Sequence, residues 1–354
     1  MAEFMSTGDY DRIRLINEIL LLYYVQELTQ AEVARRLGLS TAKVNRLLQQ
    51  ARKQGMVEVT IRTPFQHLFD LESRLKAIFD IEEVVVIPRI AEDPDAMVHT
   101  LGRAGAYCLL RHVRDGDVIA IGGGTAVHAV AQALEPKRPY DVVVVPTSGG
   151  VQGLPYTDVN SLASQIAERL GGRAYQFHAP AFVEKPEQRE MLLSMGPVKE
   201  IVDIARQANV ALMGVGTVHH EASRYVEFTA LSPDDMKQIA EEWGGVGEIG
   251  AFVFDIEGHP CAQEYADRVV GLPLPELKRI PFLIGVAATA AKALPVYGAL
   301  RGGYLNALIT DEAAARGILE LFEEDFRGEG SAHSGRDGHR TGRASFPASP
   351  SLQQ

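Results

Sequence analysis

Two groups of residues have types and spacing that suit them to chemistry. The first is Gly122-Gly123-Gly124-Thr125, directly after the apolar run DVIAI (117–121) and at the head of an apolar-periodic helix. Consecutive glycines let backbone N–H groups converge on an anion, the helix dipole favours negative charge there, and Thr125 adds a hydroxyl donor. The chemistry implied is capture of one phosphate group on a small ligand. No Gly-Lys-Ser/Thr follows and the run is not GxGxxG, so it matches neither nucleotide motif. Other polar groups stand at or beyond strand ends: Gln152 in TSGGVQG (147–153), Glu248 in GGVGEIG (244–250), Lys292 after FLIGVA, and Asp311 after LNALIT. Together they suit a phosphorylated polyol. Each also has a plainer reading as surface charge or cap, and Asp311 is a natural helix N-cap. His219-His220 would point apart with no third ligand, and the two cysteines lack metal-ligand spacing, so neither a metal nor another cofactor is expected.

The second group is in TQAEVARRLGLSTAKVNRLLQQAR (29–52), which reads as a helix-turn-helix. Thr29 with Glu32 forms a capping box, Gly38 allows a sharp turn, and Ser40 caps a second helix. Val44, Leu47, Leu48 and Ala51 fall on one face of that helix. The remaining face presents Thr41, Lys43, Asn45 and Arg46 near its N-terminus, where a recognition helix meets base edges in the major groove. Arg35, Arg36, Arg52 and Arg62 are placed to touch phosphates, which gives affinity without sequence information.

The elements that must position these groups follow from periodicity. A helix over Asp11–Glu27 carries Ile16, Ile19, Leu20 and Tyr23 as its core stripe, after a loose polar segment 1–10. Leu21, Leu22, Tyr24 and Val25 are surplus apolar surface for a second contact, either another subunit or the rest of the chain. Val57, Val59 and Ile61 alternate with polar residues as a strand beside the helix-turn-helix, making it winged. Residues 64–80 form an amphipathic connecting helix. From 81 to 327 short apolar runs alternate with helices, which predicts an α/β domain with a mainly parallel sheet covered on both faces. Residues 328–354 are rich in Ser, Gly, Arg and Pro and are expected to be disordered.

Charge separates the two parts. The chain of 354 residues has a net charge of −11, yet residues 1–63 carry nine Lys/Arg against seven Asp/Glu. Between Arg35 and Arg62 seven basic residues face Glu58 alone. A basic module on an acidic protein is an electrostatic footprint for DNA. No run of residues is long and apolar enough for a membrane span, so a reducing cytoplasm is the expected compartment.

The chain to about Phe322 resembles the SorC family of sugar-binding transcriptional regulators. The resemblance is carried by LTQAEVARRLGLSTAKVNRLLQQARKQGMVEVTI (28–61), DVIAIGGGTAVHAVAQAL (117–134), GVGEI (245–249), DRVVG (267–271) and KALPVYGALRGGYLNALITDEAAARGIL (292–319). It implies a larger domain similar to sugar-phosphate isomerases and deaminases but used for sensing. It also implies operator DNA and a phosphorylated sugar or polyol as partners, in a homo-oligomer (dimer or tetramer). Gly123, Gly124 and Thr125 match the family's phosphate loop, while Glu248 and Lys292 match residues that contact the effector. Ala126 stands where a second hydroxyl is common, and Ala288-Thr289 where Gly-Gly is usual. The alternatives are a sugar-phosphate isomerase or deaminase with a DNA-binding appendage, and an architectural DNA binder without a ligand.

Overall fold

The computed structural model describes residues 7–58, 63–88, 94–151, 158–219 and 231–332. The chain divides into two compact units, residues 1–66 and 67–354.

In the first unit, α1 (Thr7–Leu20) runs into a π-helical turn over Leu21–Val25, then α2 (Gln30–Leu37) and α3 (Thr41–Lys53). The helix thus begins four residues before Asp11, so 7–10 are helical rather than loose. Thr29 and Glu32 form the reciprocal capping box: Thr29 Oγ1 accepts from the Glu32 N–H, and Glu32 accepts from the Thr29 N–H at 2.8 Å. Such a cap contributes about 1 kcal/mol. Gly38 ends α2 in the left-handed region, and Ser40 Oγ accepts from the Lys43 N–H to open α3. Ile16, Ile19, Leu20, Leu22, Val33, Ala34, Val44, Leu47, Leu48 and Ala51 make the core. Of the surplus apolar residues, Leu22 is buried, but Leu21 and Val25 remain 48% and 70% exposed, and Tyr10 and Ile13 on α1 are exposed with them. Val57 and Glu58 lie outside regular structure, and 59–62, with the rest of the expected wing and Arg62, lie outside the described residues.

α4 (Gln66–Phe79) begins at the boundary and belongs to the second unit from His67 onward; its Leu68, Leu71 and Leu75 enter the core of the large domain. The expected connecting helix is therefore part of the large domain's packing. Next come β1 (Glu83–Ile87), α5 (Pro94–His112), β2 (Val118–Ile121), α6 (Thr125–Ala133), β3 (Val143–Pro146), α7 (Val159–Leu170), β4 (Arg173–Ala174), α8 (Pro186–Ser194), α9 (Gly196–Ala205), β5 (Val210–Gly214) and β6 (Gly216–Thr217). They are followed by α10 (Pro233–Glu241), β7 (Gly245–Ile249), β8 (Phe252–Asp255), α11 (Gln263–Ala266), α12 (Leu274–Leu277), β9 (Phe282–Val286), a 3₁₀ turn (Ala290–Lys292), α13 (Ala293–Arg301), β10 (Ala307–Asp311) and α14 (Glu312–Ala332). The last helix extends past 327, and residues 333–354 lie outside the described part.

Seven strands form a parallel sheet in the order β1-β10-β9-β5-β2-β3-β4. Alternate residues of each strand serve opposite cores, because successive side chains point to opposite faces. Ile119, Ile121, Leu212, Ile284 and Ile309 join α5, α6 and α7 on one face. Ala120, Met213, Leu283 and Leu308 join α4, α9, α13 and α14 on the other. Each such buried Ile or Leu stabilises by roughly 1.5–3 kcal/mol. A small antiparallel sheet, β6-β7-β8, stands apart from the main one. The run 244–250, expected as a loop, is thus mostly strand β7. Its glycines serve close packing: a Cβ at Gly247 would press on Pro295 and Phe254.

Candidate functional site

Strand order fixes where a ligand can sit. From β2 the chain proceeds to β3 and β4 on one side, then returns to place β5 on the other side of β2. The order therefore reverses between β2 and β5, and the crevice beyond their carboxyl ends is the favoured ligand position in open α/β sheets.

Gly122–Gly124 leave β2 at this crevice. Gly122 is buried and donates its N–H to the Leu212 carbonyl at 3.0 Å. Gly124 precedes α6 with φ 111°, a conformation that L side chains rarely adopt, and no side chain caps the helix. Thr125, the first residue of α6, is exposed. The amide-bearing end of a nine-residue helix thus opens on the crevice. Gly102 and Gly105 of α5 let α6 approach closely, since a Cβ on either would collide with Ala129 or Val130.

β5 leads through Gly214 to β6, where Gly216 pairs with Glu248 of β7. A Cβ on Gly216 would overlap the Glu248 carboxylate, so glycine is what lets that carboxylate lie there. Glu248 accepts the Ala251 N–H at 2.9 Å. Burial raises its pKa above the usual carboxylate range, opposed by that hydrogen bond and by the charge of Lys292. Lys292 is shifted the other way: burial lowers its pKa, opposed by Glu248. The fold therefore brings Glu248 and Lys292 within electrostatic reach of one another although they are 44 positions apart in the sequence. For each group the effect of desolvation exceeds that of the other's charge. Lys292 ends the 3₁₀ turn that leads into α13.

Asp311 is buried and makes two backbone contacts. Its Oδ1 accepts the N–H of Ala314, capping α14, and the N–H of Thr289, each at 3.0 Å. The second bond was not legible in the sequence. It holds Thr289, a β-branched residue, at φ 90° and ψ 152°, in a region natural only to glycine. Thr147 is also internal: it is buried, and its hydroxyl donates to the Ile121 carbonyl at 3.1 Å. Half-buried His128, in the second turn of α6, has its imidazole pKa lowered by burial. Gln152 and His220 lie outside the described residues, and His219 donates its N–H to Thr217 Oγ1.

In the first unit Thr41, Lys43, Asn45 and Arg46 are exposed on α3, and Arg35 and Arg36 are exposed on α2. Arg36 also reaches Gln26 Oε1. Arg52 donates from Nε to the Tyr24 hydroxyl at 2.7 Å and lies over that ring. It anchors the π-helical turn to α3, a structural tie absent from the sequence reading.

The Sugar-bind family model, a sugar-binding domain, matches residues 63–320, and sigma-70 region 4 matches residues 17–54. The chain is 29% identical over 316 residues to the deoxyribonucleoside regulator of Bacillus subtilis, covering 88% of this chain and 99% of that one. It is 31% identical over 307 residues to the transcriptional regulator LsrR of Escherichia coli K12, covering 86% and 94%. The full-length sorbitol operon regulator SorC from Klebsiella pneumoniae superposes with a TM-score of 0.67 at 28% identity, covering 86% of this chain and 97% of that structure. With an N-terminal helix-turn-helix and a sugar-binding domain over most of its length, the chain belongs to the SorC family of sugar-binding transcriptional regulators.

Proposed function

We propose that this chain is a cytoplasmic one-component regulator of a carbohydrate or polyol operon. α3 reads operator bases through Thr41, Lys43, Asn45 and Arg46, while Arg35 and Arg36 hold phosphates. The effector is a small phosphorylated sugar or polyol. Its phosphate sits on the α6 N-terminus at Gly123, Gly124 and Thr125, and its hydroxyls meet Glu248 and Lys292.

The observation that carries this reading is an uncapped helix N-terminus at the topological switch point together with the half-buried Glu248 and Lys292, whose charges act on one another. Asp311 is buried and its Oδ1 accepts two backbone N–H groups, so its part is to shape the loop that carries Thr289 and Lys292. A homo-oligomer is the working state: the exposed apolar residues Tyr10, Ile13, Leu21 and Val25 give the first unit a surface for a second copy. The effector acts by favouring one subunit arrangement over another, limited by its differential affinity for the two. Binding rather than turnover is the role assigned to the large domain.

Thermal unfolding of the full-length chain against matched sugars and polyols, with and without phosphate, tests the reading. Ligand at about 100 times its dissociation constant stabilises by about 2.7 kcal/mol. The expected result is a shift with one phosphorylated compound, lost in Thr125→Val, while operator binding persists. A shift with the free sugar alone would refute the phosphate assignment. Steady consumption of that compound by the protein would establish the enzyme alternative.

A further inference from the structure

At the opposite, amino end of the parallel sheet, three side chains of different chemistry converge. Glu83 opens β1, and Cys108 and His112 lie one turn apart on α5. Their donor atoms all lie within 4.8 Å of one another, a grouping of sulfur, nitrogen and oxygen donors among the described residues. Glu83 Oε2 and His112 Nε2 are 3.1 Å apart. Arg111 Nη1 donates to the other oxygen, Oε1, at 2.9 Å, so that guanidinium occupies one side of the carboxylate and leaves the other facing His112 and Cys108. The His112 ring is held in place by stacking on Phe282, with centroids 3.8 Å apart and planes 18° apart. Cys108 is fully buried, whereas the His112 and Glu83 side chains keep 27% and 13% of their surface.

We propose that Glu83, Cys108 and His112 form a binding site for a thiophilic divalent cation of the zinc type. Sγ, Nε2 and Oε2 are the protein ligands, and water takes the fourth position. Donors at bond lengths of roughly 2.0–2.3 Å around a tetrahedral ion stand roughly 3.3–3.8 Å apart, so side-chain adjustments of about 1 Å close the site. The thiolate and carboxylate together neutralise the ion, and the thiol proton leaves to solvent as the metal–sulfur bond forms. Cys108 and His112 are four residues apart on a helix, which puts their donors on one face. The third ligand comes from a strand and is therefore invisible in the sequence spacing. The His112 and Glu83 side chains, 27% and 13% exposed, form the solvent-facing rim of the site. Bound metal would tie edge strand β1 to the end of α5, away from the effector crevice.

The test is titration of the reduced, chelator-treated, tag-free full-length chain with Co²⁺ and then Zn²⁺, read by absorption. A thiolate-to-cobalt charge-transfer band saturating stoichiometrically and bleached by Zn²⁺ is expected, since zinc binds such sites more tightly than cobalt. The band should vanish in Cys108→Ala and persist in Cys261→Ser. Because Cys108 is internal, His112→Gln and Glu83→Gln at the rim give an independent reading, with affinity falling on the order of 100-fold. Absence of the band in the unsubstituted chain, its survival in Cys108→Ala, or unchanged affinity in His112→Gln would each overturn the site and leave the cluster as an ion-pair clasp.

Discussion

Replacing Thr289 with glycine should make the protein more stable, against the usual direction of a mutation to glycine. Thr289 stands at φ 90° and ψ 152°, held there by the Asp311 carboxylate on its N–H. A non-glycine residue in such a region costs on the order of 1–3 kcal/mol. Glycine removes that strain but adds unfolded-state entropy worth roughly 0.5–1 kcal/mol. The threonine side chain is exposed, so little packing is lost with it. The balance is a gain of up to about 2.5 kcal/mol, centred on about 1 kcal/mol, or roughly 2–4 °C in Tm per kcal/mol for a domain of this size. Calorimetry of Thr289→Gly and Thr289→Ala separates the causes. Alanine keeps the Cβ and hence the strain, so it should leave Tm nearly unchanged. Asp311→Ala removes an acceptor from two N–H groups, each bond to a charged group being worth roughly 1.5–3 kcal/mol. Part of that loss should disappear in the Thr289→Gly background, because the loop no longer has to be held in a strained form. Destabilisation by Thr289→Gly, or equal stabilisation by Thr289→Ala, would refute the argument.

Three further outcomes are expected. Glu248→Gln should stabilise the ligand-free protein at neutral pH. Burial raises the Glu248 pKa, so the wild-type protein loses stability as pH rises from the ordinary value of 4.5 through the folded value, and the gap between the two proteins should close in acid unfolding curves below 4.5. Gly216→Ala should displace the Glu248 carboxylate and weaken effector binding by about tenfold or more, measured calorimetrically, with operator affinity in the absence of effector unchanged. Lys43→Ala should relax base discrimination by about 1–3 kcal/mol at one operator position, whereas Arg35→Ala should weaken all sequences alike and reduce the salt slope by about 0.9. Binding isotherms on matched and mismatched operators at several salt concentrations decide between them.

What the sequence determined by itself is local. The Thr29–Glu32 capping box, Ser40 at the head of α3 and the alignment of Val44, Leu47, Leu48 and Ala51 on one face are set by residues a few positions apart, through local backbone geometry. The strand–helix alternation and the glycine-rich turn into α6 were legible for the same reason. The tertiary structure decided what depends on distant partners. β7 read as a loop because glycine is a poor strand former, yet Gly247 is required where Phe254 and Pro295 press against it. The proposed effector crevice lies where sheet order reverses between β2 and β5, and Gly216 meets Glu248 there through the antiparallel pairing of β6 with β7, which no local periodicity encodes. Asp311 shows the division in one side chain: its cap on α14 is a three-residue matter visible in sequence, while its hold on Thr289 arises only because β9 and β10 lie side by side.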